Sequence, residues 1–599
     1  MRPHKPFIKI CAMLPLVLAL TLVLALTLVL QGCGSLARIL DQPDPPRENL
    51  ANRELTQIPR VEDDYEGIRV FHGNREAPQL SPDKRAYFYE EHGWIYMHVQ
   101  GTPSQRGFQH GWLLADYIQL SYRHNVHMLS DMYALDWEFL RTNAERLWAD
   151  KVNEEVQAEL EGIVKGAKER GATIDYLDLL VLNGLEELLY CWFPTVQDEY
   201  YRDLALGLWS KEPLADDAER TDDAPPVNNE PSPPDYYLDY DYYLGYDYYL
   251  GYDYYPSYDE PQANNESSAQ DSPDTLKIPP INGMFTKQAV AIIAAGAATE
   301  EGDIILAHNT IAFYGDASFA NVIMSVEPEE GQHFTMQAAP GGIASFGEVY
   351  SSESLLVANT RINSFAAYSE MGTPEFLRIR QAVQYAQTLD EFTEIMLSQN
   401  NGGLASNWLV GELKTGEIME LELGLTFQSV AKVTNGCFVS FGGVEDTGIL
   451  NHETNNSLLS DTRLGTGARH VRLLDLVKPY YGNLTVKSAQ TIISDHFDVY
   501  VRSGSASSRS VCAHHETDDA RYSVEQTTLP NLPYGTVDAK ILSSGLAEQQ
   551  AIMARWGSAC GRTFDSEGFL SRNAQYLSLA PYLYDRPSQF WNEFCPLDR

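Results

Sequence analysis

The sequence predicts an α+β protein, and three patterns along the chain agree with that class. The stretch Ala289–Thr310 reads as two short strands, 289–298 and 304–308, joined by a tight turn at Thr299-Glu300-Glu301-Gly302-Asp303. Its residues are small, branched and almost uncharged, so both faces should be buried, and Gly302 supplies the positive φ that a hairpin turn needs. Leu147, Val152, Val156, Leu160, Val164 and Ala167 form a helical stripe that should stop at Gly171. Trp94–Val99 alternates as a strand and runs through Gly101-Thr102-Pro103 into a helix.

At 599 residues and 44% hydrophobic, the chain has room for a large core. A net charge of −40 excludes nucleic acid as a partner, because phosphate binding needs clustered Lys and Arg. Residues 1–32 read as a signal peptide: Arg2, Lys5 and Lys9 precede an apolar run from Ile10 to Leu30, and Leu30-Gln31-Gly32-Cys33 follows. That tetrapeptide is similar to a bacterial lipobox, in which Cys33 carries the lipid. The competing reading is an uncleaved anchor, since about 20 apolar residues can span a bilayer. Either way the expectation is a cell-envelope protein, on the outer membrane or the extracytoplasmic face and held to the membrane through Cys33. Residues 33–60, rich in Pro, Asp, Arg and Asn, read as a flexible tether.

Residues 61–192 form a first, mostly helical folded part. A second helix, 176–190, is expected to end near Cys191-Trp192-Phe193-Pro194. Residues 193–284 read as an acidic, disordered insertion holding a six-residue repeat at Asp235, Asp241, Asp247 and Asp253, each followed by Tyr-Tyr. The repeat is an expanded low-complexity loop without a role, or a tyrosine-rich surface for a partner. Residues 285–599 carry the core.

Several stretches resemble one family. Gln288-Ala289 opens a hairpin that reaches Gly296 and closes on His308-Asn309. Upstream lies Gly101-Thr102-Pro103-Ser104-Gln105-Arg106-Gly107, whose Arg106 can pair with a carboxylate. Downstream come Met336–Ser345, Ala358-Asn359-Thr360-Arg361-Ile362, the capping box Thr388-Leu389-Asp390-Glu391, and Asn400–Gly411 with the hairpin turn Lys414-Thr415-Gly416. Arg469 and Arg472 follow on one helix face, then Cys512-Ala513-His514, Pro533–Lys540 and Trp556–Gly561. Together these resemble the penicillin-acyltransferase-type N-terminal-nucleophile hydrolases and, more distantly, the phospholipase-B-like proteins, over most of 90–192 and 285–595.

The resemblance implies a four-layer αββα sandwich and a cysteine nucleophile freed by self-cleavage, whose new α-amine acts as base. In the family register that cysteine falls at position 289, and this chain has Ala289. Asn407 is the implied oxyanion donor, Asn309 would line the pocket and hold the chain start, and Arg469 would bind a substrate carboxylate or steady the N-terminus. Each also has a structural reading, in which the asparagines satisfy strand ends and Arg469 pairs with a core acid. Thr286 and Cys191 are the residues left as displaced nucleophiles. Two functions follow. One is a catalytically silent binding or scaffold lipoprotein; the other is a working hydrolase or acyltransferase acting on acyl-amides or phospholipid esters. The ligand class is an acyl-amide or lipid-like small molecule, without a cofactor. No metal-ligand spacing stands out, and His514 reads as a hydrogen-bonded core residue. Five cysteines follow Cys33, an odd number, and Cys512 with Cys560 is the expected disulfide.

Overall fold

The computed structural model describes residues 61–65, 68–71, 79–81, 85–206, 286–455, 461–522 and 531–596. The signal peptide, Cys33, the tether and the tyrosine repeat lie outside them. The described part is α+β, with two large sheets besides a small hairpin of Val61–Tyr65 and Ile68–Phe71. The first large sheet has ten strands. From one edge to the other they are Gln428–Val433, Ile418–Leu423, Ser406–Glu412, Leu355–Arg361, Val349–Ser352, Phe334–Ala338, Val322–Pro328, Trp94–Gly101, Tyr87–Glu91 and Gln79–Leu80. Only Trp94–Gly101 and Val322–Pro328 run parallel, and the helices of the first folded part fall in the connection between them. The second sheet orders Gly436–Ser440, Gln288–Ala295, Ile305–Phe313, Tyr534–Ser543, Ile552–Trp556 and Asn592–Phe594, all antiparallel.

The 289–310 stretch forms the hairpin expected of it, at the centre of the smaller sheet. Its first strand stops at Ala295 and a 3₁₀ turn covers Gly296–Ala298; the second runs on to Phe313. Gly302 takes φ +80° in the connection. Strand alternation then divides its residues between two environments. Ala291, Ile293 and Ala295 join Tyr96, Leu356, Ala358 and Leu409 of the ten-stranded sheet in one core. Val290, Ile292 and Ala294 pack the opposite way, against Leu473 and Val477 of helix Gly465–Val477 and Ala489, Ile492 and Ile493 of helix Val486–Ile493.

The single stripe expected between 147 and 167 is split. Helix Trp137–Trp148 ends and Asn153 caps a new one, Glu154–Glu169, its side chain accepting from Val156 N at 2.8 Å. Gly171 then takes φ +96°, ending the helix as expected. Thr102 and Gln105 form a reciprocal capping box that starts helix Pro103–Leu113. This helix lies directly against Glu154–Glu169 because glycines face each other. A Cβ on Gly111 would fall 1.9 Å from the Ile163 carbonyl oxygen, and one on Gly166 2.2 Å from that of Phe108. Arg106 closes the contact as a structural ion pair, 2.7 Å from both Glu159 and Glu155.

The helix expected to end at Cys191–Pro194 instead continues. A π turn, Leu188–Trp192, widens the helix, and Phe193–Ala205 follows as a further α-helix. The wider turn accommodates the ring of Pro194, which would clash inside a regular α-helix. Among the described residues no helix is long and apolar enough to cross a membrane.

Candidate functional site

Position 289 sits inside an unbroken β ladder. Gln288 pairs with Ile311 and Ala289 with Thr310, so the strand is already regular before the position at which the family's chain would begin. Ala289 is 3% exposed and shares the parity of Ala291 and Ile293, which face the other sheet. Three residues back, the Thr286 carbonyl accepts from the Tyr534 hydroxyl at 2.5 Å. Gln288 points to the helical side, where Arg469 Nη2 reaches its Oε1 at 2.5 Å while Nη1 donates to Ser508 O at 2.8 Å. Arg469 therefore steadies the residue preceding position 289 through the Gln288 amide.

The two asparagines do not share a face. Asn309 faces the helical side: its amide donates to the carbonyls of Ile493 and Val511, each at 3.1 Å. It closes the end of helix Val486–Ile493, and it is not among the residues that line the cavity beside Lys287. Asn407 lies on the inter-sheet parity of its strand, as Leu409 does, but its Nδ2 donates to Glu420 Oε1 at 3.0 Å. Its neighbour across the strand pair, Thr360, is 2.5 Å from Ser440, the hydroxyl opposite Ala291.

The side chains beside Ala289 between the sheets are those of an ion pair from the Pro533–Lys540 stretch. Reading across three strands, Ala289, Thr310 and Asp538 form one row, and Ala291, His308 and Lys540 the next. Lys540 is fully buried; its Nζ pairs with Asp538 Oδ1 and reaches Thr310 Oγ1 at 2.8 Å and Gly347 O at 3.4 Å. Gln337, from the other sheet, donates to Asp538 Oδ2 at 2.7 Å. Burial first, then the Lys540 charge, pushes the His308 imidazole far below its ordinary pKa, so its Nε2 donates as a neutral ring to Asn359 O at 2.9 Å.

A cavity of about 130 Å³ opens beside this region, and neither Ala289, Asn309, Asn407 nor Arg469 lines it. Met128, Leu129, Leu189, Phe319 and Phe346 form its apolar part, and Lys287, Glu348, Arg361 and Glu375 its polar wall. Lys287 Nζ is 3.3 Å from Glu186 and 3.1 Å from Glu348. Arg361 holds Glu348 at 3.0 Å through Nη2 and 3.1 Å through Nε, and also pairs with Glu186. Two cations thus meet two anions. Glu348 is held there at φ +56°, a conformation that side chains rarely adopt and that costs of order 1 kcal/mol or more. The resemblance motifs touch this wall: Arg361 belongs to the 358–362 strand, and Asn401 of the 400–411 stretch donates to Glu187 at 2.5 Å. Glu187 also takes the Glu375 N–H at 2.9 Å. Lys287 and Glu348 lie in none of these motifs.

Burial first, then the neighbouring Glu348 charge, lifts the Glu375 carboxyl to about 8. The sign follows from linkage: a carboxyl raised in the folded state stabilises fully below its ordinary pKa and loses that stabilisation as pH rises to about 8. Stability is therefore expected to fall across this window by a few kcal/mol, at about 1.4 kcal/mol per unit. Urea unfolding midpoints compared at about pH 5 and about pH 8.5 should show the fall in the native chain and a flatter profile in Glu375→Gln. An equal fall in both would assign it elsewhere.

Of the two residues kept as displaced nucleophiles, Cys191 is not activated. Burial pushes the Cys191 thiol up to about 12, and its sulfur accepts the Leu404 N–H at 3.3 Å. The expected disulfide is corrected as well: Cys512 and Cys560 are neighbours, but no bond joins them. No protein-family model matches the chain, and no curated protein matches it.

Proposed function

We propose that this chain is a catalytically silent, lipid-anchored binding protein built on the αββα architecture of the N-terminal-nucleophile hydrolases. It would take up a small acyl-amide or lipid-like molecule without cleaving it. The observation that carries the reading is the alanine at position 289, seated in a continuous paired strand. An alanine has no lone pair to attack with, and a peptide-bonded nitrogen offers no basic amine. Between the sheets, the Lys540–Asp538 pair fills the rows beside Ala289.

Two sheets sharing one apolar core, with helices against the outer face of the smaller one, support the four-layer arrangement. The cavity supports binding. Its volume of about 130 Å³ is on the scale of the roughly 150 Å³ engineered cavity that admits benzene, so a short acyl group or a single ring fits and a whole phospholipid does not. With Lys287 and Arg361 balanced by Glu186 and Glu348, the polar wall favours a neutral group. Membrane attachment rests on Leu30-Gln31-Gly32-Cys33 alone.

Intact-mass analysis of the mature protein tests the proposal, together with a panel of acyl-amide and phospholipid substrates. The expected result is one uncut chain that releases no product. Two fragments, the second beginning at Thr286 or at another hydroxyl or thiol residue, with turnover of any substrate in the panel, would overturn it in favour of a working hydrolase.

A further inference from the structure

Four side chains that have no part in the cavity converge on the helical side of the smaller sheet. His496, Cys512, His514 and Cys560 each offer one ligand atom, and the four atoms lie within 4.8 Å of one another. Three separate segments supply them. His496 is in the loop after helix Val486–Ile493, and Cys560 is in the turn after strand Ile552–Trp556. Cys512 and His514 flank Ala513, which exchanges hydrogen bonds with Thr536 at 2.9 and 2.8 Å at the start of strand Tyr534–Ser543. Cys512 and His514 are buried, and His496 and Cys560 half-buried.

The spacing fits a tetrahedral metal site. His514 Nε2 lies 3.4 Å from Cys512 Sγ and 3.5 Å from Cys560 Sγ. In a tetrahedral zinc site, bonds of about 2.3 Å to sulfur and about 2.0–2.1 Å to nitrogen place neighbouring N and S ligands about 3.6 Å apart. A disulfide would instead bring the two sulfurs to about 2.05 Å.

The surroundings orient the ligands as metal sites do. His514 Nδ1 is tied to Glu516 Oε1 at 2.9 Å, and Glu516 Oε2 accepts from the Tyr314 hydroxyl at 2.7 Å, so Nε2 is turned onto the sulfurs. The Arg562 N–H donates to Cys560 Sγ at 3.3 Å. His496 Nε2 is buried without a hydrogen-bond partner, and its ring stands edge-on to His514 at 5.2 Å.

We propose that His496, Cys512, His514 and Cys560 hold a structural Zn²⁺ ion in a closed, four-coordinate site. Both thiols release their protons to solvent on binding, and two thiolates with two neutral imidazoles leave the buried site uncharged. The ion staples the 496–514 loop to the sheet. That loop also carries Ser508 O and Val511 O, the acceptors for Arg469 and Asn309, so the metal secures the helical side of position 289.

The test uses the full mature chain, purified without chelator in the presence of zinc. Metal analysis should find one zinc per chain, lost in Cys560→Ser and in His514→Ala, and chelation should lower the melting temperature. Exchange with Co²⁺ should produce a thiolate-to-metal charge-transfer band and the intense visible bands of a tetrahedral site. This last measurement reads the ligands in the unaltered chain, whatever the variants do to folding. The proposal is overturned if the folded chain retains no zinc and peptide mapping finds a Cys512–Cys560 disulfide. It is equally overturned if a Cys512→Ser/Cys560→Ser variant retains zinc at the same stoichiometry. Neither outcome bears on whether position 289 is silent.

Discussion

Glu159→Ala is expected to destabilise the protein by about 3–5 kcal/mol, the cost of leaving buried charge unpaired. Glu159 is 3% exposed and is shared by two arginines that are buried themselves. Arg106 Nε reaches its Oε2 at 2.7 Å, and Arg380 takes both oxygens, at 2.9 and 3.3 Å. Burial pushes the Glu159 pKa up, but Arg380 and Arg106 outweigh it and hold the carboxyl below its ordinary range. Arg106 retains Glu155 after the substitution, so the larger part of the loss falls on Arg380, left with Gln384 Oε1 and the Ile343 carbonyl. The chemical denaturation midpoint measures it. A shift corresponding to under about 1 kcal/mol, the range of exposed pairs, would mean that water reaches this triad.

The second large effect is expected at Asp538→Ala. Lys540 would then lose its counter-ion between the sheets, with the Thr310 hydroxyl and the Gly347 carbonyl left as its hydrogen-bond partners, and Gln337 would lose one acceptor. A loss of about 3–5 kcal/mol should follow. The double variant Lys540→Met/Asp538→Ala should recover much of it, because removing both charges of a buried pair is far milder than removing one. If the double variant is no more stable than the single one, the pair is not the unit that fills the space beside Ala289. Denaturant midpoints of the native, single and double variants complete the comparison.

The fold class and the hairpin were legible because they rest on local pattern. Small branched residues with a glycine turn made the 289–310 strands readable, and Thr102 and Thr388 marked helix starts through their side-chain caps. The strand ends were not readable: the turn after Ala295 is 3₁₀, and the second strand lengthens to Phe313 because Tyr534–Ser543 pairs along all of it. Pro194 marked a helix end in the sequence, but a π turn makes room for it.

What the sequence determined by itself is the identity of the residue at position 289 and the absence of an attacking atom from its side chain, since both are covalent facts. Only the tertiary structure decided which face each strand residue presents. It turned Asn309 toward the helices, placed Asn407 against Glu420, brought Lys540 and Asp538 from a distant strand to the row beside Ala289, and gathered His496, Cys512, His514 and Cys560 from three segments. The physical reason is that side-chain direction in a sheet alternates with every residue, and pairing joins residues hundreds of positions apart. A motif names the neighbours along the chain, whereas the chemistry of a site depends on neighbours through space.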